Sequence, residues 1–145
     1  MHGQKETSSA PRFTWVAFHL AELGVALWIL LGHGYEAVGR LCGQTWVPGD
    51  EGRRVVLAVL GVVLWGRMTL TGLFILRRRF GWSEAVPVIL ASALYQWGFA
   101  MLGAGAQAPL GALAWVGVAL FAIGSVFNTG SELQRRAFKE KPENA

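Results

Sequence analysis

The sequence predicts an all-α polytopic membrane bundle of four transmembrane helices followed by a short cytoplasmic amphipathic helix. Three observations lead to this fold class. Hydrophobic residues make up 53% of the 145-residue chain, they are gathered in four long blocks, and most charged residues stand between or after those blocks. A helix needs about 20 apolar residues to cross the hydrocarbon core of a bilayer, so each block has roughly the length of one span.

The four blocks cover residues 13–31, 55–76, 85–102 and 110–127. A short polar segment precedes the first block, and no small-residue cleavage site follows it, so we expect a signal anchor rather than a removable signal peptide. The chain therefore divides into a cytoplasmic tail at 1–12, a transmembrane domain at 13–128 and a cytoplasmic tail helix at 129–145.

Basic residues are distributed unevenly between the two sides of these spans. Three of them, Arg40, Arg53 and Arg54, lie on the side of the first loop. Nine lie on the other side: Lys5, Arg12, Arg77, Arg78, Arg79, Arg135, Arg136, Lys139 and Lys141. Basic residues accumulate on the cytoplasmic side of membrane proteins, so both termini should be cytoplasmic. The basic residues behind the net charge of +4 therefore serve to orient the protein in the membrane and to contact lipid. We expect no nucleic-acid partner.

Ionisable residues inside the first two spans predict a polar core. His19 and Glu22 are three residues apart and so share one helical face, which should look into the bundle. Glu22 lies ten residues from Arg12, and Arg67 lies ten residues from Arg77. Both are then roughly 15 Å inside the cytoplasmic boundary, which predicts a Glu22–Arg67 ion pair or a shared polar site. Such a pair could be purely structural or could contact a ligand.

Polar residues of the third span can join this core. Tyr95 and Gln96 should reach the depth of Arg67, where they could hydrogen-bond to a polar site or to a lipophilic substrate, or simply link helices. The fourth span carries no ionisable residue and is interpreted as scaffold. The single cysteine, Cys42, has no partner at metal-ligand spacing, and no metal site is expected.

The polar tail holds a possible anion site. Ser131 followed by Gln134 has the spacing of a capping box, which predicts a helix beginning near Ser131. Unpaired N–H groups at that helix start, together with Arg135, Arg136 and Lys139, would suit an anion such as a phosphate. The alternative is a juxtamembrane helix that holds lipid head groups.

Motifs of soluble enzymes, among them GxGxxG, GxxxxGK[ST], GxSxG and HExxH, are absent from the sequence. Three segments carry a different signal: RMTLT at 67–71, WSEA at 82–85 and NTGSELQRRAFKEKPEN at 128–144. In their order and spacing they resemble the steroid 5-alpha-reductase-like membrane proteins, particularly the bacterial branch with a domain of unknown function.

This resemblance implies an enzyme of the bacterial inner membrane that uses NADPH to reduce a carbon–carbon double bond of a lipophilic substrate. It places the cofactor contacts at Asn128, Glu132, Arg136, Lys139, Arg77 and Arg78. The substrate or polar core would be formed by Glu22, Arg67, Tyr95 and Gln96, with the catalytic residue unassigned. Membrane lipid and a lipophilic small molecule are the expected partners.

Relatives continue beyond the position of Ala145, so the resemblance implies the N-terminal portion of the fold, with the second half of the site supplied by further sequence or by a second chain. Two other functions stay open. One is an S-adenosylmethionine-dependent membrane methyltransferase, because isoprenylcysteine methyltransferases share a similar arrangement. The other is a non-catalytic membrane protein that binds anionic lipid.

Overall fold

A computed structural model describes residues 9–75 and 80–140, and this part of the chain is helical and contains no strand. Its α-helices are α1 (Ser9–Leu31), α2 (Gly34–Leu41), α3 (Glu51–Leu70), α4 (Trp82–Gly105) and α5 (Ala112–Glu140). A π-helical segment, Thr71–Ile75, directly prolongs α3. The predicted all-α class is confirmed.

Four of these helices are long and apolar enough to cross a membrane, namely α1, α3 with its π-helical segment, α4 and α5. They coincide with the four hydrophobic blocks, but several of their ends lie further out. The first helix begins at Ser9 instead of residue 13, and α3 begins at Glu51 instead of residue 55. Apolar length marks the hydrocarbon core alone, whereas the backbone hydrogen bonds of a helix continue into the polar interface.

The first helix occupies the centre of the bundle. It packs most extensively against α4 and next against α3, while among the described elements the backbone of α5 closely approaches α3 and the π-helical segment only. In the most apolar window of α5, none of the residues is buried inside the protein, compared with 39% in α1. The described chain therefore consists of a three-helix core with the fourth span attached at its edge.

Two hydrophobic clusters hold the core together at opposite ends of α1. One is built on Ala26, Ile29 and Leu30 with small residues of α3 and α4, and the other on Trp15, Phe80 and Ala85. Small side chains permit close approach of membrane helices. The segment of α1 between the two clusters carries buried polar residues instead, which places a polar layer in mid-bundle.

One glycine sets the position of the π-helical segment against α1. A Cβ atom added to Gly72 would collide with the ring of Trp15, so this contact requires a residue without a side chain. Close by, Arg12 Nη1 donates to the carbonyl oxygen of Gly72 at 3.4 Å. The end of the second span is thereby held against the beginning of the first.

At the other end of the bundle, two adjacent arginines join the helix ends. Arg54 Nη1 donates to the carbonyl oxygen of Leu30 at 3.0 Å, near the end of α1. Arg53 Nη2 donates to the carbonyl oxygens of Ala108 and Pro109 at 3.0 and 3.3 Å, in the connection between α4 and α5. These bonds satisfy carbonyl groups for which a helix end or a loop has no backbone partner. The first turn of α3 is thereby tied to the end of α1 and to the connection between α4 and α5.

Candidate functional site

A buried polar group lies in the middle of the bundle. It comprises His19 and Glu22 on α1 and Gln96 on α4, whose side chains are 1%, 3% and 7% exposed. His19 Nδ1 lies 3.1 Å from Glu22 Oε2 and 3.1 Å from Gln96 Nε2. The predicted inward face of α1 is confirmed, and Gln96 is the residue of the third span whose side chain contacts His19.

The two contacts at His19 Nδ1 require opposite hydrogen positions. A carboxylate only accepts, so an ionised Glu22 needs a proton on Nδ1, whereas the amide nitrogen of Gln96 only donates and needs the Nδ1 lone pair. Amide oxygen and nitrogen positions are assignments, and rotating the Gln96 amide would let Nδ1–H donate to both neighbours. The proton arrangement of this group is therefore coupled to the orientation of Gln96.

Further contacts fix the polar group in place. The imidazole of His19 stacks on the indole of Trp15 with 5.8 Å between ring centroids, and Trp97 Nε1 donates to the backbone oxygen of Glu22 at 3.2 Å. Three buried atoms have no hydrogen-bond partner, namely His19 Nε2, Glu22 Oε1 and Gln96 Oε1. Unpaired polar atoms in a dry interior are costly, and this group holds three of them close together.

The predicted ion pair between Glu22 and Arg67 is wrong. Glu22 pairs with His19 instead, and Arg67 is half-buried with its Nε atom shielded from solvent and without a hydrogen-bond partner. Depth along a helix depends only on the rise per residue, whereas contact also depends on how each helix is rotated. The polar face of α1 is turned towards α4, as the contacts of Gln96 and Trp97 with it show.

A cavity of about 500 Å³ lies beside this polar group and is lined by residues of all four spans. Its walls include Leu23 and Ala26 of α1, Gly61 of α3, Gln96 of α4 and Gly117 of α5. Almost all of the lining is apolar, and Gln96 belongs both to the cavity wall and to the hydrogen-bonded group. A lipophilic molecule in the cavity would therefore lie next to the one buried amide that also contacts His19.

Tyr95 has a different position from its neighbour. It lines the cavity, but 63% of its surface is exposed, and its ring stacks on that of Phe99 with 5.9 Å between centroids. Consecutive residues of a helix point about 100° apart, so only one of the two can face α1. Tyr95 therefore belongs to the rim of the cavity, and Gln96 belongs to the polar core.

The described part of the tail, residues 129–140, is helical as predicted, but it does not begin a separate helix near Ser131. The fifth helix runs without a break from Ala112 to Glu140, and Ser131 Oγ donates to the carbonyl oxygen of Phe127 at 2.7 Å. That bond to the preceding turn is a common alternative to capping for a helical serine. Backbone N–H groups in the middle of a helix are already paired, so the predicted anion site at a helix start is not formed.

Because α5 is continuous, four residues assigned to cofactor contact lie on the same helix. Positions 128, 132, 136 and 139 are spaced by four, four and three residues, so they share one face of α5. Asn128 is exposed, whereas Glu132 and Arg136 are half-buried. Arg136 Nη1 donates to the carbonyl oxygen of Phe74 at 3.1 Å, and Glu132 Oε1 lies 3.9 Å from Arg135 Nη1.

The face therefore meets the π-helical segment, which ends two residues before Arg77. Arg77 and Arg78 themselves lie outside the described residues. Lys139 occupies a helical position on the same face of α5. Four of the six predicted cofactor residues, Asn128, Glu132, Arg136 and Lys139, thus lie on one face of a single helix.

Sequence reasoning missed the cavity and the bond between His19 and Gln96. Both depend on the rotation of α1 and α4 about their axes, for which a uniformly apolar span gives little periodic signal. The pairing could have been inferred from one cue, because His19, Glu22 and Gln96 are among the few strongly polar side chains within the predicted spans. Such residues in a membrane bundle satisfy one another where they can.

Comparison with known proteins gives no relative from which a function could be transferred. No protein-family model matches this sequence, and no curated protein and no solved structure shows significant similarity to it.

Proposed function

We propose that this integral membrane protein binds a lipophilic molecule in its four-helix cavity and serves the NADPH-dependent reduction of a double bond in that molecule. The observation that carries the proposal is the cavity itself. At about 500 Å³ it is in the size range of small-molecule sites, which are mostly apolar with a few convergent polar groups. Gln96 in the wall and Tyr95 at the rim supply those polar groups.

The polar face of α5 supports the cofactor part of the proposal. Arg136 and Lys139 are suited to the phosphates of NADPH, Asn128 to an amide or hydroxyl group, and Glu132 to ribose hydroxyls as a hydrogen-bond acceptor. Bound NADPH would supply the hydride for the reduction. These assignments follow the family resemblance residue by residue, and the shared helix face is consistent with one extended ligand along α5.

The cavity and this face are adjacent along α5. Phe121 lines the cavity, and Asn128 follows it after seven residues, which is about 10 Å of helix rise. Arg77 and Arg78, three and four residues after Phe74 in the sequence, are proposed to contribute further positive charge to the cofactor contacts. The face lies towards the end of α5 at which the chain is predicted to reach the cytoplasm.

Titration of the purified full chain in lipid nanodiscs with NADPH, followed by nucleotide fluorescence, tests this function. We expect saturable binding that weakens at least about tenfold in Arg136→Ala, since a hydrogen bond to a charged group contributes about 1.5–3 kcal/mol. Asn128→Ala should weaken binding less, about two- to tenfold, since a neutral hydrogen bond contributes about 0.5–1.5 kcal/mol. Arg40→Ala, an exposed arginine of α2, is the matched control and should bind like the wild type.

The same preparation titrated with S-adenosylmethionine separates the alternatives. Binding of that donor without NADPH binding would replace the reductase by a methyltransferase. Absence of both would contradict the enzymatic proposal and leave a membrane protein that binds lipid.

A further inference from the structure

The two last spans stand apart although they follow each other closely in the chain. The connection between α4 and α5 covers only residues 106–111, yet along the whole of both helices, all of it described, no Cα atom of α5 comes within 8 Å of α4. The fifth helix is held by α3 and the π-helical segment instead. A gap therefore runs between α4 and α5.

The cavity reaches this gap. Tyr95 and Phe99 of α4 line the cavity and yet are 63% and 58% exposed on the protein surface. Gly117 and Phe121 of α5 form the facing wall. These residues belong to the membrane-spanning parts of their helices, so the surface onto which the gap opens is in contact with hydrocarbon rather than water.

Hydrogen bonds bridge the nearest helix ends. Arg53, which lines that end of the cavity, is bonded to the carbonyl oxygens of Ala108 and Pro109. The loop before α3 is pinned to the end of α4, because the backbone N–H of Gly49 donates to the carbonyl oxygen of Ala104 at 2.7 Å. An apolar cavity with a covered end and an open side receives its occupant from the side.

We propose that the cavity takes its occupant laterally from the bilayer, through the gap between α4 and α5, and that this occupant is a lipophilic molecule with a hydrocarbon chain dissolved in the membrane. The chain lies against the buried walls formed by Leu23, Ala26 and Ala100. This inference deepens the proposed function, because it names the bilayer as the source of the substrate and an extended hydrocarbon as its chemical class.

Two glycines of α5 provide a matched pair of variants. Gly117 lines the cavity, whereas Gly124, seven residues further along and on nearly the same helix face, does not. A Cβ atom at either position would meet no other atom within 4 Å, so both sites tolerate a side chain. Gly117→Phe should obstruct the gap and the cavity, and Gly124→Phe should leave them open. Ala114→Phe, on the cavity wall one turn before Gly117, is a second obstructing variant.

The test is photocrosslinking of the full chain in nanodiscs that contain a diazirine-bearing palmitic acid, with the labelled residues identified by mass spectrometry. Bulk lipid labels exposed residues on every face, but only a molecule inside the cavity can reach Leu23, Ala26 and Ala100, which are buried. We expect labelling at these three residues. Labelling should fall about tenfold in Gly117→Phe and Ala114→Phe, because the phenylalanine ring takes up space that the hydrocarbon chain would occupy. It should stay unchanged in Gly124→Phe.

Absence of label at the buried residues in the wild type, while exposed residues such as Leu94 are labelled, would overturn the inference, as would equal labelling in all variants. Circular dichroism of each variant shows whether it is folded. The result is independent of cofactor, so labelling without NADPH binding would refute the reductase and keep the lateral site. NADPH-dependent turnover of a short, water-soluble enone without buried labelling would refute the lateral route alone.

Discussion

His19 and Glu22 form a side-chain pair within one turn of α1, with Nδ1 and Oε2 3.1 Å apart and both residues almost completely buried in the bundle. Removing one member of such a pair leaves the other unpaired in a dry interior. Replacing both with apolar residues removes that cost. The pair therefore makes a clear prediction about non-additivity.

We expect Glu22→Leu and His19→Phe each to lower the free energy of unfolding by about 3 kcal/mol, and the double variant to lose clearly less than the sum. Phenylalanine keeps the stacking on Trp15. Denaturant titration in mixed micelles measures the free energy of unfolding of the wild type, both single variants and the double variant. Additive losses would show that the two side chains act independently.

Gln96 and Tyr95 are neighbours in sequence that should differ in their effect on stability. Gln96→Leu removes the hydrogen bond to His19 and should lower the free energy of unfolding by about 1–3 kcal/mol. Tyr95→Phe changes an exposed rim residue and should stay within about 0.5 kcal/mol of the wild type. Thermal unfolding of both variants in the same detergent measures the difference, and equal losses would place both residues in the core.

Two glycines of the second span should respond oppositely to alanine. Gly72→Ala puts a methyl group into the ring of Trp15, so we expect a loss of about 1–3 kcal/mol from overpacking. Gly66→Ala meets no atom within 4 Å and should be neutral or stabilising, because alanine has a higher helix propensity by about 1 kcal/mol. Unfolding midpoints of the two proteins test the packing of Trp15 on the π-helical segment. A tolerated Gly72→Ala would contradict it.

Ser131→Ala distinguishes a continuous α5 from a separate tail helix. At a helix start the substitution would cost about 1 kcal/mol, because the serine would cap an unpaired N–H. Inside α5 the hydroxyl only bonds to the carbonyl oxygen of Phe127, so the change should stay within about 0.5 kcal/mol. Hydrogen exchange at the amides of residues 128–134 provides the second readout, and continuous protection across them is expected.

The sequence reveals the spans of this protein well and their mutual rotation poorly. Long apolar blocks and flanking charges identify four spanning helices, because hydrocarbon thickness fixes both features. The same uniform apolarity hides which face of each helix looks inward. Equal depth in the membrane therefore predicts a pair between Glu22 and Arg67, whereas in the structure Glu22 is turned towards α4.

The tail shows the corresponding limit for local signals. The spacing of Ser131 and Gln134 is compatible with a helix start, but nothing in the preceding residues interrupts α5, and a serine inside a helix satisfies its hydroxyl on the previous turn. The cofactor residues that the family resemblance implies, Asn128, Glu132 and Arg136, nevertheless have a spacing that a continuous helix places on one face. The arrangement of Arg77 and Arg78 lies outside the described residues.

Occupancy of the cavity by a lipophilic molecule is the central claim, and methyl NMR of the alanine-labelled chain in nanodiscs tests it most directly. Ala26, Ala58 and Ala100 line the cavity, whereas the equally buried Ala85 belongs to the cluster around Trp15. Addition of a long-chain unsaturated methyl ketone should shift the first three methyl resonances saturably and leave Ala85 unchanged. Unchanged resonances at all four alanines, or equal shifts that include Ala85, would contradict the claim.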